Sequence, residues 1–125
     1  MNRIKLFIAD DSSVIRERLV SLINVLGRFD VVGVAKTIQE SITGVAKLMT
    51  DVLILDMAMP GGSGYKVLQA VKLRPSAHLI IVLTNYPDYR QRSLAEGADY
   101  FFDKPAECDQ LLLLERLQRD AGAGS

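Results

Sequence analysis

Five short, continuously apolar runs alternate with longer amphipathic segments along this chain. That alternation limits the folds open to it more than any other feature. The runs are Ile4–Ala9 (IKLFIA), the valine-rich Asp30–Ala35, Val52–Leu55 (VLIL), Leu79–Leu83 (LIIVL) and Tyr100–Phe102 (YFF). Continuous rather than alternating apolarity suits strands covered on both faces, which means a parallel sheet. The segments between read as helices. Ile15, Leu19, Leu22 and Leu26 fall at i, i+4, i+7 and i+11, on one face of a helix that Ser12 or Ser13 can cap and Gly27 can close. Ile38, Ile42, Val45, Ala46 and Met49 make a second stripe, and Tyr65, Leu68 and Val71 a third, before Pro75. A short fourth helix is expected from Tyr89 to Glu96, closed by Gly97, and a fifth from Glu107 to Arg119. This order predicts an α/β fold, a doubly wound five-stranded parallel sheet with five helices and right-handed crossovers.

Composition narrows the function classes. The chain has 125 residues, about one domain. Lys plus Arg total 15 and Asp plus Glu total 15, so the net charge is zero. That balance argues against direct nucleic-acid binding by this chain and against an anionic membrane surface. The single cysteine, Cys108, excludes an internal disulfide framework and a multi-cysteine zinc site. The first apolar run meets Asp10 and Asp11 too soon for a signal peptide. No run approaches the roughly 18 residues of a membrane span. The expectation is a soluble domain of a reducing, cytoplasmic compartment over residues 1–120, with 121–125 (AGAGS) as a flexible tail or linker remnant.

In open α/β sheets, ligands bind beyond the carboxyl ends of the strands. Asp10 and Asp11 follow the first run, Asp56 the third, Thr84 the fourth and Lys104 the fifth. Three carboxylates at one rim repel each other, and a hard divalent cation such as Mg²⁺ relieves that repulsion. A cation, a hydroxyl and an ammonium together suit phosphoryl transfer. An aspartate can itself be the nucleophile and become an aspartyl phosphate. No histidine, cysteine or serine is placed as an alternative. The net charge of zero therefore conceals an acidic pocket, with Lys104 as its only expected cationic neighbour.

The motifs FIADDSS, LILDMAMPGGSG, VLTN and GADYFFDKP, in this order and at strand ends, resemble the receiver domain of bacterial two-component response regulators over essentially the whole chain. The resemblance implies a flavodoxin-like strand order of 2-1-3-4-5. It implies Asp56 as phosphoacceptor for a sensor histidine kinase or phosphotransfer protein. Mg²⁺ would be ligated by Asp11, Asp56 and the backbone carbonyl of Ala58, with Asp10 acting mainly through water, and Thr84 and Lys104 would bind phosphoryl oxygens. It further implies a switch formed by Thr84 and Phe101, whose side chain lacks a hydroxyl, and a cis bond between Lys104 and Pro105. Ala58 and Tyr86 occupy the positions that tune phosphate loss in this family, and bulky Tyr86 is expected to slow it. Such a domain catalyses its own phosphorylation and dephosphorylation and turns over no separate substrate. The surface of the fourth helix, fifth strand and fifth helix would serve a homodimer or a target. In the fifth helix, Leu111 to Leu114 and Leu117 are too many for one buried stripe and support a partner surface.

Plainer readings accompany these. Asp10-Asp11 also suits a helix cap. Gly61, Gly62 and Gly64 lack the phosphate-loop pattern and read as a turn. Met57 and Met59 read as packing, His78 as structural or exposed, and Cys108 as half-buried. Two alternative functions remain. One is a small aspartate-nucleophile phosphohydrolase, which would want a second aspartate where Ala58 stands. The other is an unphosphorylated pseudo-receiver acting as a binding module.

Overall fold

The computed structural model describes residues 3–48, 50–73, 79–84 and 86–103. The expectations for Met49, Pro75, His78, Lys104, Pro105, Cys108, the fifth helix with its leucines, and the tail 121–125 lie outside these residues. Strands covered on both faces have no use for polar alternation, and the apolar runs become β1 (Ile4–Ala9), β2 (Phe29–Ala35), β3 (Val52–Leu55), β4 (Leu79–Thr84) and β5 (Tyr100–Asp103). All neighbours pair in parallel, in the order β2-β1-β3-β4-β5. This is the doubly wound, flavodoxin-like sheet expected.

Side-chain alternation along the strands sorts the core into two layers. Phe7, Ala9, Leu53, Leu55, Ile80, Val82 and Phe101 face one side, where α2 (Ile38–Lys47) and α3 (Tyr65–Lys72) add Ile38, Val45, Tyr65 and Leu68. Leu6, Ile8, Val52, Ile54, Ile81, Leu83 and Phe102 face the other, where α1 (Ser13–Leu26) adds Leu19 and Ile23. Phe101 thus lies on the side opposite Tyr100 and Phe102, as its neighbours' alternation requires.

The helix ends follow local chemistry. Ser12 caps α1 by accepting from the Ile15 amide, and Gly27 closes it in the left-handed region at φ 71°. Ser12, rather than either aspartate, is therefore the N-cap of α1. Thr37 caps α2 by accepting from the Glu40 amide, while the Glu40 carboxylate accepts from the Lys36 amide at 3.0 Å. Two expectations need correction. Ile23, not Leu22, is the fully buried partner of Leu19, because the face that α1 turns to the sheet is rotated from the Leu22 side of the stripe toward Ile23. The fourth helix is shorter than expected. Pro87–Tyr89 form a 3₁₀ turn, and α4 spans Arg90–Ala95 before Gly97 turns the chain at φ 115°. None of the helices among the described residues is long and apolar enough to cross a membrane.

Candidate functional site

Backbone pairing brings the acidic residues together. The Asp10 amide donates to the Ala35 carbonyl at 2.9 Å and the Asp56 amide to the Ala9 carbonyl at 2.8 Å, so the ladders of β2, β1 and β3 run through to the residues just past the strands. Ala9 and Leu55 are register partners. Asp10 and Asp56 therefore emerge side by side, and Asp11 one residue further. Each of the three offers a carboxylate oxygen, and these oxygens lie within 4.8 Å of one another. Asp10 and Asp56 are buried and Asp11 is exposed, so the cluster is walled by protein and open through one member.

The turns that carry these carboxylates are pinned. Asp10 Oδ1 accepts from the Ser12 amide at 2.9 Å, and Asp56 Oδ1 from the Ala58 amide at 3.0 Å. Arg16 was not singled out by sequence reasoning. Its guanidinium donates to the Asp10 carbonyl at 2.7 Å, which adds a cation beside the acidic turn and corrects the expectation of Lys104 alone. The available signal was its place four residues after the Ser12 cap. Helix side chains point back toward the N-terminus, here over the turn leaving β1.

Thr84 ends β4 with no exposed surface, and its Oγ1 has no hydrogen-bond partner among the described residues. An unsatisfied buried hydroxyl costs stability and calls for an explanation. Thr84 lies two residues beyond Val82 and so points to the same side of the sheet. Val82 in turn is the register partner of Phe101. Thr84 and Phe101 thus share one face, as a coupled pair requires. Tyr86 is 54% exposed and packs edge-on against Tyr89, with ring centroids 6.1 Å apart. Met57 and Met59 are core residues, as the sequence suggested. Gly64 must stay small, because a Cβ there would sit 2.8 Å from Met57 Cα and Sδ.

The donor set suits a hard cation. It consists of carboxylate oxygens only, close enough that their mutual repulsion favours a divalent ion, and one of them faces solvent. Thr84 supplies a buried donor at the same rim, without a partner among the described residues. The constellation sits at the carboxyl edge of a doubly wound parallel sheet, the place where such sheets bind their ligands.

Comparison with known proteins agrees. The model of the response regulator receiver domain matches residues 6–116. The chain belongs to this family, the receiver domains of two-component response regulators. It is 34% identical over 110 residues to the transcriptional regulatory protein DesR of Bacillus subtilis, covering 86% of this chain and 54% of that protein. It is 31% identical over 122 residues to protein-glutamate methylesterase/protein-glutamine glutaminase 5 of Myxococcus xanthus, covering 95% of this chain and 34% of that one. Among solved structures, the isolated receiver domain of RcsB from Salmonella enterica serovar Typhimurium, determined with the phosphomimetic BeF₃⁻, aligns with a TM-score of 0.79 at 28% identity, over 94% of this chain and 90% of that one. The chain spans about half the length of DesR and less of the methylesterase.

Proposed function

We propose that this chain is a phosphorylation-driven switch in which Asp56 accepts the phosphoryl group. The observation that carries this reading is the clustering of Asp10, Asp11 and Asp56 at the sheet edge, together with the orphaned Thr84 hydroxyl. A carboxylate oxygen of Asp56 attacks phosphorus in line. The new O–P bond forms as the bond from phosphorus to the donor's nitrogen or oxygen breaks, and the leaving atom takes the electron pair. Mg²⁺, held by Asp11, Asp56 and the Ala58 carbonyl with Asp10 behind, would offset the charge on the phosphoryl oxygens. The Asp10 and Asp56 turns hold their carboxylates before any donor arrives, which lowers the reorganisation needed in the transition state. The Thr84 hydroxyl donates to a phosphoryl oxygen, and Lys104 would add a cation. Movement of Thr84 toward the phosphate favours the inward side chain of Phe101 on the same face.

Such coupling shifts a population between two states, because phosphate binds one better than the other. The output is the surface of α4, β5 and the expected fifth helix, which would control a homodimer, a target or a further domain. DesR is named a transcriptional regulator, and this chain would serve an equivalent regulator as its cytoplasmic receiver, phosphorylated by a sensor histidine kinase or phosphotransfer protein. The test is incubation with acetyl phosphate and Mg²⁺, followed by intact mass. A gain of one phosphoryl group that disappears with chelator, and in Asp56→Ala, is the expected result. No gain in the wild type overturns the proposal.

A further inference from the structure

α4 is seated unlike the other described helices. α1, α2 and α3 each bury apolar side chains, but the only fully buried residue of α4 is Ser93. Leu94, its largest apolar residue, is 41% exposed. What meets the core instead is charge on aromatic faces. The Arg90 guanidinium lies over the Phe101 ring, 4.9 Å from its centroid, and the Arg92 guanidinium over the Tyr65 ring at 3.8 Å. Tyr89, just before α4, packs on Tyr65 with centroids 5.7 Å apart.

Phe101 is only 4% exposed and carries no polar atom on its ring. A phenol would hold an inward ring by a hydrogen bond, and this ring cannot. A cation over the π face supplies attraction without a hydroxyl, and loses it when the ring swings away. We infer that Arg90 is a positioning residue that holds Phe101 inward, so that the place of α4 and the rotamer of Phe101 change together. The inference rests on the reading of Phe101 as the switch residue and names what sets its resting population. Attraction of this strength at an exposed cation shifts a two-state ratio by roughly two- to fivefold.

The experiment uses the full chain with ring-¹³C phenylalanine, which reports on four residues. Phe101 is assigned by its loss in Phe101→Leu. In the metal-free, unphosphorylated protein, Arg90→Met keeps the apolar stem and removes the charge. The inward population of Phe101 should fall two- to fivefold, and Arg90→Lys should restore part of it. Arg90→Met should also weaken BeF₃⁻ binding in Mg²⁺ by a similar factor, and should have no such effect in a Phe101→Leu background. That last comparison separates the ring contact from other contacts of Arg90. An unchanged Phe101 population in Arg90→Met overturns the inference, as does equal weakening with and without the Phe101 ring. If Phe101 in the wild type ignores BeF₃⁻ and Mg²⁺, the switch reading falls instead, while the metal-free comparison still decides the role of Arg90.

Discussion

Thr84→Val should make the resting protein more stable and the switch worse. Valine matches threonine in shape and replaces a buried hydroxyl that has no partner among the described residues. Leaving such a group unsatisfied costs about 1–3 kcal/mol, so removing it returns stability of that order. For 125 residues, unfolding entropy of about 2.1 cal/mol/K per residue makes each kcal/mol worth about 4 °C in Tm. The variant should therefore melt about 4–12 °C higher without Mg²⁺. In the proposed activated state the same hydroxyl would donate to a charged oxygen, a bond worth about 1.5–3 kcal/mol. BeF₃⁻ binding in Mg²⁺ should weaken roughly 10- to 150-fold. Thermal melts and a BeF₃⁻ titration followed by NMR read both effects. A variant that melts lower than wild type would refute the orphaned hydroxyl, and unchanged BeF₃⁻ affinity would refute its role at the phosphoryl group.

Other perturbations address the remaining parts. Arg16→Met removes the charged donor to the Asp10 carbonyl. It should cost about 1.5 kcal/mol in urea unfolding and speed hydrogen exchange at the Ser12 amide, whose acceptor is Asp10. Unchanged exchange there would mean the guanidinium does not hold the turn. Tyr86→Ala should shorten the lifetime of the phosphorylated protein, read by mass over time; an equal or longer lifetime removes Tyr86 as a cover. Burial pushes the Tyr65 phenol above its usual value, against the pull of the Arg92 guanidinium. Because the folded value lies above the unfolded one, the associated stability is complete below about pH 10 and is lost as pH rises through the folded value. Tyr65→Phe should therefore flatten the alkaline fall in urea midpoint, and an identical fall in both proteins would contradict this.

The strands were legible because burial on both faces writes itself as unbroken apolar runs. β1 and β3 keep the bounds expected of them, and β2, β4 and β5 differ by one residue at an end. The acidic residues were legible because parallel strands deliver their next residues to one edge. What stayed hidden depends on partners far apart in sequence. The Phe7 ring fills space that only glycines leave open: a Cβ at Gly33 or Gly44 would come within 2.7 Å and 2.6 Å of Phe7 Cε2. β2 also carries one extra residue against β1, since Leu6 pairs with Val31 but Phe7 with Gly33. No local pattern announces either. The start of α4 is not legible locally, because helical periodicity there competes with a 3₁₀ turn and seating comes from Arg90 and Arg92 on rings of other elements. Arg16 and the Thr84 orphan likewise emerge only when the turns and strand ends are assembled.

The central claim is that Asp56, and no other residue, carries the phosphoryl group. Borohydride reduces an acyl phosphate to the alcohol, converting the modified aspartate to homoserine. After incubation with acetyl phosphate and Mg²⁺, reduction and peptide mapping should place homoserine at position 56 alone. Homoserine at Asp10 or Asp11, or none anywhere in protein that has gained phosphate, would contradict the account.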